Sequence, residues 1–194
     1  MPDTLLPEIV PLHVDLGRFI AEYHRTDLLR LQTLDYYGVT SDGEDYRRYI
    51  DGEPAPAATG KQEWLDRVRA DTSAGRVRRN VHIVRGPLTP YLRYQFEWCY
   101  APNTAAGQDI RVLDMTETPA ATALFRVGDL AVVEGRHVVR LRYDPDGGYQ
   151  GAVAVGDDTA VGYIALAEVA WNLATPFTTW WAEHPQYHRD HTAV

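Results

Sequence analysis

Apolar residues in the first fifty positions recur first at helical and then at strand spacing. In VDLGRFIAEYHR the apolar and aromatic side chains fall three or four positions apart, from Leu16 to Tyr23, which predicts an amphipathic helix. The alternation in LLRLQTLDYYGV predicts a strand. In SDGEDYRRYIDG, Ser41 and Glu44 form a capping box and Gly52 supplies a C-cap, so this stretch predicts a second helix.

The pattern is clearest in the middle of the chain. KQEWLDRVRADTSAG predicts a helix that buries Trp64, Leu65 and Val68 and ends at a glycine. RVRRNVHIV then predicts a strand, and Thr89 caps a following helix that has Pro90 in its first position. Because DIRVLDM predicts another strand directly afterwards, the stretch forms a βαβ unit with parallel strands.

The second half of the chain changes to short strands separated by tight turns. TALFRV, LAVVE, HVVRLRY and YQGAVAV predict strands, and the GD, GR and DPDGG stretches between them are hairpin turns. Asp157 or Asp158 caps a long helix that ends or kinks at Pro176. One face of this helix carries four apolar residues, which are Val161, Ala165, Val169 and Leu173.

These elements predict a single α/β domain: a mixed, twisted sheet in which a βαβ unit is followed by antiparallel hairpins, with helices packed on its faces. Residues 1–53 are too short for a core of their own, so we expect them to pack on the main domain at 61–182. EPAPAATG, rich in Pro and Ala, predicts a linker at 54–60. Residues 183–194 form a C-terminal tail.

Composition and charge narrow the classes of function. The 194 residues contain one cysteine, Cys99, so no internal disulfide can form and a reducing cytoplasm is the expected compartment. No stretch has the length of a membrane span, and the first ten residues do not resemble a signal peptide. The net charge of −8 argues against direct binding of nucleic acid. Of the 19 basic residues, Lys61 is the only lysine.

The stretch RGPLTPYLRYQFEWCY, residues 85–100, holds the candidate binding surface. On a helix from Pro90, Leu92, Phe96 and Cys99 share a face that should be buried, whereas the aromatic and charged residues beside it should stay partly accessible. With the preceding basic strand, the candidate ligand or partner surface comprises Arg76, Arg78, Tyr91, Arg93, Tyr94, Glu97 and Trp98. The alternative to a binding surface is a structural role. In that case the aromatic side chains complete the core, and the arginines belong to a solvated strand edge.

No motif of known catalytic, cofactor-binding or metal-binding chemistry is present. The chain has no glycine-rich phosphate-binding loop, and Cys99 on an aromatic helix is typical of a small core residue. His184, His188 and His191 have a spacing that could hold a metal ion on one helical face. Pro185 and the position near the chain end argue instead for a frayed tail, so no catalytic residue, cofactor or metal is expected.

Several blocks resemble an uncharacterised family of actinobacterial proteins. They are LRLQTLDYYGV with DYRRYIDGEP, WLDRVRADTSAGRVRRNVHIVRGPLTPYLRYQFEW, NTAAGQDIRVLD and LAVVEGRHVVRLRYDPDGGYQG. Genes of that family often lie beside Xre-type helix-turn-helix regulators. The resemblance therefore implies a non-enzymatic regulatory or accessory protein that acts with such a DNA-binding partner, and a homodimer is left open. The alternative is an enzyme or binder of a small anionic metabolite at an Arg/Tyr-lined pocket.

The order of elements also resembles half of a phospholipase-D-like domain. That superfamily uses a His, a Lys and an Asp on one hairpin to cleave phosphodiesters. In this chain Glu134 takes the place of the Asp with no His or Lys before it, and between His137 and Asp144 the lysine position is Val139. The resemblance is therefore to the fold, and phosphodiester cleavage is not expected.

Overall fold

A mixed sheet forms the centre of the protein. The structure is a computed structural model that describes residues 12–38, 42–55 and 61–189. Within these ranges the strands are β1 (Leu12–Val14), β2 (Asp27–Gln32), β3 (Val77–Val84), β4 (Asp109–Asp114), β5 (Leu130–Val133), β6 (His137–Tyr143), β7 (Tyr149–Ala154) and β8 (Thr175–Pro176). They form one eight-stranded sheet in the order β1-β7-β6-β5-β2-β3-β4-β8.

The direction of the strands divides the sheet into two parts. β2, β3 and β4 are parallel, whereas β5, β6 and β7 form an antiparallel meander that pairs with β2 through β5. The edge strands β1 and β8 are antiparallel to β7 and β4. This confirms the α/β fold with a βαβ unit followed by hairpins. Of the two described strands from the N-terminal segment, β1 lies at an edge of the sheet and β2 in its middle.

Helices cover both faces of the sheet. They are α1 (Leu16–Tyr23), α2 (Gly43–Ile50), α3 (Gln62–Ser73), α4 (Pro90–Tyr94), a π-helix (Gln95–Tyr100), α5 (Ala101–Ala105), α6 (Thr122–Phe125), α7 (Asp157–Leu173) and α8 (Phe177–Glu183), with 3-10 turns at Pro119–Ala121 and Pro185–Tyr187. Leu29 and Leu31 of β2 pack with α6 and α7 on one side, the α7 face. Because side chains alternate along a strand, Leu28, Arg30 and Gln32 point to the opposite side, the α4 face.

Local signals in the sequence set several helix ends. The Thr89 side chain accepts a hydrogen bond from the backbone N–H of Leu92, and Pro90 is in the first turn, as the sequence predicts. The cap of α7 is Gly156, so the prediction of Asp157 or Asp158 was wrong by one or two positions; both aspartates lie in the first turn. Ser41 lies outside the described residues.

One predicted strand is a helix. TALFRV, residues 122–127, follows the 3-10 turn and begins with α6, because the chain must pass from β4 across β3 and β2 to reach β5. Ala121, Leu124 and Val127 are three residues apart, and this spacing places all three against the α7-face core. A strand in their place would have turned alternate residues away from that core.

The apolar stripe of α7 has the predicted spacing but faces solvent. Val161 is 69% exposed, and Val169 and Leu173 are also exposed. The helix packs instead through Ala160, Ala167, Ala170 and Trp171. The small alanine side chains allow the helix backbone to approach the sheet closely.

Candidate ligand-binding cleft

A cleft of about 410 Å³ opens on the α4 face over β2 and β3. It is lined by amide, aromatic and charged side chains, which are Arg30, Gln32, Tyr37, Asp42, Lys61, Trp64, Asn80, Gln95, Cys99, Tyr100, Asn103, Gln108 and Tyr143. Its volume is within the range of small-molecule sites. The cleft thus combines the size of a ligand site with a lining in which most side chains carry a polar group.

The floor of the cleft is built by two central strands. Arg30 and Gln32 of β2 and Asn80 of β3 point into it, and their neighbours Leu31 and Val81 are buried on the other face. Central parallel strands are usually apolar on both faces because helices cover both. Polar residues at these positions therefore indicate a site rather than packing.

The π-helix forms one wall. Gln95, Cys99 and Tyr100 line the cleft from this segment, which continues α4 and runs into α5. A single π-helical turn inside an α-helix shifts the angular position of the following side chains, and such turns are frequent at functional sites. The sequence predicts a plain α-helix here, and the change in helical pitch is a feature that spacing alone does not indicate.

Buried polar atoms without a hydrogen-bond partner cluster in the lining. Among the described residues, seven buried side-chain N or O atoms lack a partner. Four belong to cleft residues: Arg30 Nε, Asn80 Oδ1, Gln95 Oε1 and Gln108 Oε1. Native proteins bury few such atoms, because each costs about 1–3 kcal/mol. Their concentration around one cavity leaves these donors and acceptors available to whatever occupies the cleft, water or a ligand.

Other polar groups in and beside the cleft are paired. His82 Nε2 lies 3.0 Å from the Leu34 carbonyl oxygen, which can only accept, so Nε2 carries the hydrogen. Burial lowers the pKa of His82 and keeps the ring neutral, so Nδ1 accepts from the Tyr100 hydroxyl at 2.7 Å. The Tyr100 hydroxyl also lies 2.9 Å from the Gln32 amide oxygen. Because the single hydrogen of the hydroxyl goes to His82, Gln32 completes this hydrogen bond by presenting its NH₂ to the Tyr100 oxygen.

The only lysine and the only cysteine of the chain meet at the cleft. Lys61 Nζ donates to Cys99 Sγ at 2.7 Å and lies 2.9 Å from Asp42 Oδ1. Burial alone would lower the pKa of Lys61, but Cys99 and Asp42 outweigh it and raise the pKa. Burial raises the pKa of the Cys99 thiol, despite the opposing effect of Lys61. At neutral pH the group is therefore an ammonium ion paired with a carboxylate, next to a neutral thiol.

A second cavity of about 530 Å³ adjoins the first. Arg30 and Tyr143 line both, and the second cavity continues beneath α1 to Leu16 and Tyr149. The two cavities form one groove along the α4 face, with Arg30 at their junction. Arg30 can therefore contact a ligand in either part.

The comparisons with known proteins give a family and no function. A family described as a domain of unknown function, DUF6879, matches residues 15–182. The chain belongs to the DUF6879 family. No curated protein matches the chain. Among the described residues of this DUF6879 protein, no helix is both long enough and apolar enough to cross a membrane.

Two of the sequence-predicted surface residues lie at the start of β3 in the DUF6879 domain. Arg76 and Arg78 both bind the carboxylate of Asp71, at 2.6 and 2.5 Å. The Arg78 guanidinium also lies over the Trp64 ring. These contacts tie β3 to α3, so the two arginines hold the fold together and are not among the described residues that line the cleft.

The other five lie on the helix, outside the cleft lining. Leu92, Phe96 and Cys99 are buried, and Arg93 and Glu97 are half-exposed, which confirms those predictions. Tyr91, predicted to be partly accessible, is buried because α2 packs over it, with its hydroxyl 3.2 Å from Asp42. Tyr94 and Trp98 are buried against Tyr49 of α2. Glu97 accepts a hydrogen bond from Tyr49, and Arg93 lies over the Tyr187 ring.

The hairpin residues Glu134 and Asp144 accept hydrogen bonds from backbone N–H groups. Glu134, which has a positive φ of 56°, accepts hydrogen bonds from the backbone N–H groups of Arg25, Thr26 and Asp27. Burial acts to raise its pKa, but these bonds outweigh it and lower the pKa to about 2. Asp144 likewise accepts from backbone N–H groups of its own turn. Both carboxylates are occupied by backbone N–H groups, and neither lines the cleft.

Proposed function

We propose that this protein binds a small polar molecule in the cleft and acts as a non-enzymatic regulatory or accessory protein. The observation that carries the proposal is the group of four unpaired buried polar atoms around one cavity. Three of them are amide oxygens, and two of these, Asn80 Oδ1 in the floor and Gln95 Oε1 in the π-helix wall, come from different elements. A ligand that donates hydrogen bonds to both would remove the cost of burying them.

The chemistry of the lining defines the class of ligand. Amide side chains supply donors and acceptors, and Trp64, Tyr100 and Tyr143 supply flat apolar surface. Arg30 supplies a positive charge, and its guanidinium matches a carboxylate or phosphate. We therefore propose a planar molecule of about nucleoside size that donates hydrogen bonds and carries an anionic group. This keeps the small anionic ligand expected from the sequence but moves it from Arg76, Arg78 and Arg93 to Arg30.

The regulatory part of the proposal rests on the resemblance to actinobacterial proteins encoded beside Xre-type regulators. A protein without direct affinity for DNA would need a helix-turn-helix partner to influence transcription. The groove on the α4 face would hold the signal molecule, and the partner would bind the protein in its liganded or unliganded form. The fold likeness to a phospholipase-D-like half-domain would then concern ancestry and not activity.

A covalent enzyme is the second candidate, because Cys99 lies beside Lys61 and Asp42 in the cleft. A thiol attacks as its thiolate, and it needs a base to remove its proton. Lys61 is held as an ammonium ion and has no lone pair to accept that proton, while burial raises the pKa of the thiol. The resting geometry therefore favours binding over catalysis.

The test is retention of metabolites by the purified chain. The protein is dialysed against a cell extract of molecules below about 1 kDa, and retained compounds are identified by mass spectrometry. We expect one compound class to be enriched by the wild type and lost in Gln95→Met and Arg30→Met. Val161→Ser, at an exposed position on the other face, should retain it. Equal retention by all four proteins, or none by the wild type, would contradict a ligand site in the cleft.

A further inference from the structure

Three possible metal ligands converge at the end of β4, away from the cleft. Asp114 is the last residue of β4, Glu117 lies in the turn after it, and His184 follows α8. One donor atom from each lies within 4.8 Å of the others. Since Asn80 pairs with Ile110, Asp114 is four residues further along the strand, roughly 13 Å from the level of the cleft floor. The cluster is therefore a separate site.

The hydrogen bonds of His184 fix which nitrogen faces the carboxylates. His184 Nδ1 lies 2.7 Å from the Trp180 carbonyl oxygen, so Nδ1 must carry the hydrogen. In the neutral ring Nε2 then has a lone pair, and it lies 3.2 Å from Glu117 Oε1, which is also an acceptor. Two acceptors at this distance repel each other unless a positive charge lies between them. That charge is either a second proton on the imidazole or a metal ion.

Neighbouring residues orient His184 and Asp114 in the way that is usual for metal-binding side chains. Metal-binding histidines commonly donate their other N–H to a backbone carbonyl, as His184 does. Its ring stacks on Trp180, with centroids 3.9 Å apart, which fixes its orientation. Asp114 is only 5% exposed, and its Oδ1 accepts from both the backbone N–H and the hydroxyl of Thr116. No described residue donates to the other oxygen, Oδ2, which is left to bind a cation.

We propose that Asp114, Glu117 and His184 bind a zinc ion. One imidazole nitrogen and two carboxylate oxygens suit Zn²⁺ better than Mg²⁺ or Ca²⁺, which prefer oxygen ligands alone. Ligands about 2.0–2.1 Å from zinc in a tetrahedron are about 3.3 Å apart, close to the separation of His184 and Glu117. The Glu117 side chain is exposed and can adjust toward Asp114. Three protein ligands leave a fourth position for water or an anionic group.

This site differs from the histidine row that the sequence suggested. His188 Nε2 contacts the Trp181 carbonyl oxygen at 2.8 Å, and its ring packs on Trp181. His188 is therefore held apart from His184, and His191 lies outside the described residues. Of that row, the structure brings only His184 to the two carboxylates, which are distant in sequence.

The proposal is tested by calorimetric titration of ZnCl₂ into the full-length chain after treatment with EDTA. We expect the wild type to bind one Zn²⁺ with a micromolar or lower Kd, unaffected by millimolar Mg²⁺. Glu117→Gln, at an exposed position, should fold normally and bind at least tenfold more weakly. His184→Gln should lose the site. His188→Gln is the matched control and should bind as the wild type does.

Two results would overturn the zinc site. The first is unchanged affinity in both Glu117→Gln and His184→Gln, which would place any bound zinc at other surface histidines. The second is a wild type with no site tighter than about 100 µM, which would leave Glu117 and His184 as an ion pair with a protonated imidazole. Retention of metabolites in the cleft is measured separately, so failure of one proposal does not decide the other.

Discussion

Two glutamines in the cleft allow the energetic cost of an unpaired buried amide to be measured directly. Gln32 and Gln95 are 8% and 9% exposed, and both line the cleft. They differ in their hydrogen bonds, because the Gln32 amide contacts the Tyr100 hydroxyl whereas Gln95 Oε1 has no partner. The same substitution, Gln→Met, keeps the length of the side chain and removes the amide at each position.

The expected effects have opposite signs. Gln95→Met removes an unpaired buried group that costs about 1–3 kcal/mol, and Met and Gln have similar helix propensities. We therefore expect its free energy of unfolding to rise by about 1 kcal/mol or to stay unchanged. Gln32→Met loses a hydrogen bond worth about 0.5–1.5 kcal/mol, so its free energy of unfolding should fall. The difference between the variants should be on the order of 2 kcal/mol.

Urea denaturation of the protein without added ligand measures this difference. Melting curves give an independent value, since about 1 kcal/mol shifts Tm by roughly 2–4 °C in a domain of this size. Both variants should retain less of any cleft ligand than the wild type. If Gln95→Met destabilises the protein as much as Gln32→Met, then Gln95 has a structural partner such as an ordered water, and the inference from unpaired atoms to a ligand fails.

Three further results follow from burial and charge. Phe96 is fully buried, so Phe96→Ala should lower the free energy of unfolding by about 3–5 kcal/mol. Arg93 is half-exposed, so Arg93→Ala should change it by less than about 1 kcal/mol. Equal losses of stability in urea denaturation would make Arg93 a structural group. Burial lowers the pKa of His82 and of His24 below 6.5, so below that pH the unfolded chain binds protons that the folded chain does not. The free energy of unfolding should therefore fall below pH 6.5, by up to about 1.4 kcal/mol per pH unit for each histidine. His82→Gln should make the slope of this free energy against pH shallower between pH 6.5 and 5.5, and an unchanged slope would refute this. The folded pKa of Glu134 is lowered from 4.5 to about 2, so its stabilising effect is complete above pH 4.5 and is lost as the pH falls toward 2. Glu134→Gln should therefore be less stable than the wild type at pH 7 and should lose less stability than the wild type between pH 4.5 and 2.

The sequence by itself determined most of the elements and the class of the fold. Periodicity and caps are local properties, so the βαβ unit around Thr89 and the hairpins after Gly128 could be predicted from neighbouring residues alone. The same spacing predicted the burial of Leu92 and Phe96. It did not predict that TALFRV is a helix, because the need to cross two strands depends on where β5 pairs.

Only the tertiary structure decided where the candidate sites lie. The cleft joins Arg30, Lys61 and Asn80 from separate segments, and its position depends on which part of a sheet face the helices leave uncovered. The sequence did contain one signal: polar Gln32 and Asn80 in strands that β-sheet packing would otherwise make apolar. Tyr91 was misjudged because α2, remote in sequence, packs over it. Burial depends on contacts between segments that are distant in sequence. A hydrophobic pattern along the chain shows only which residues share a face of one element, and it does not show what packs against that face.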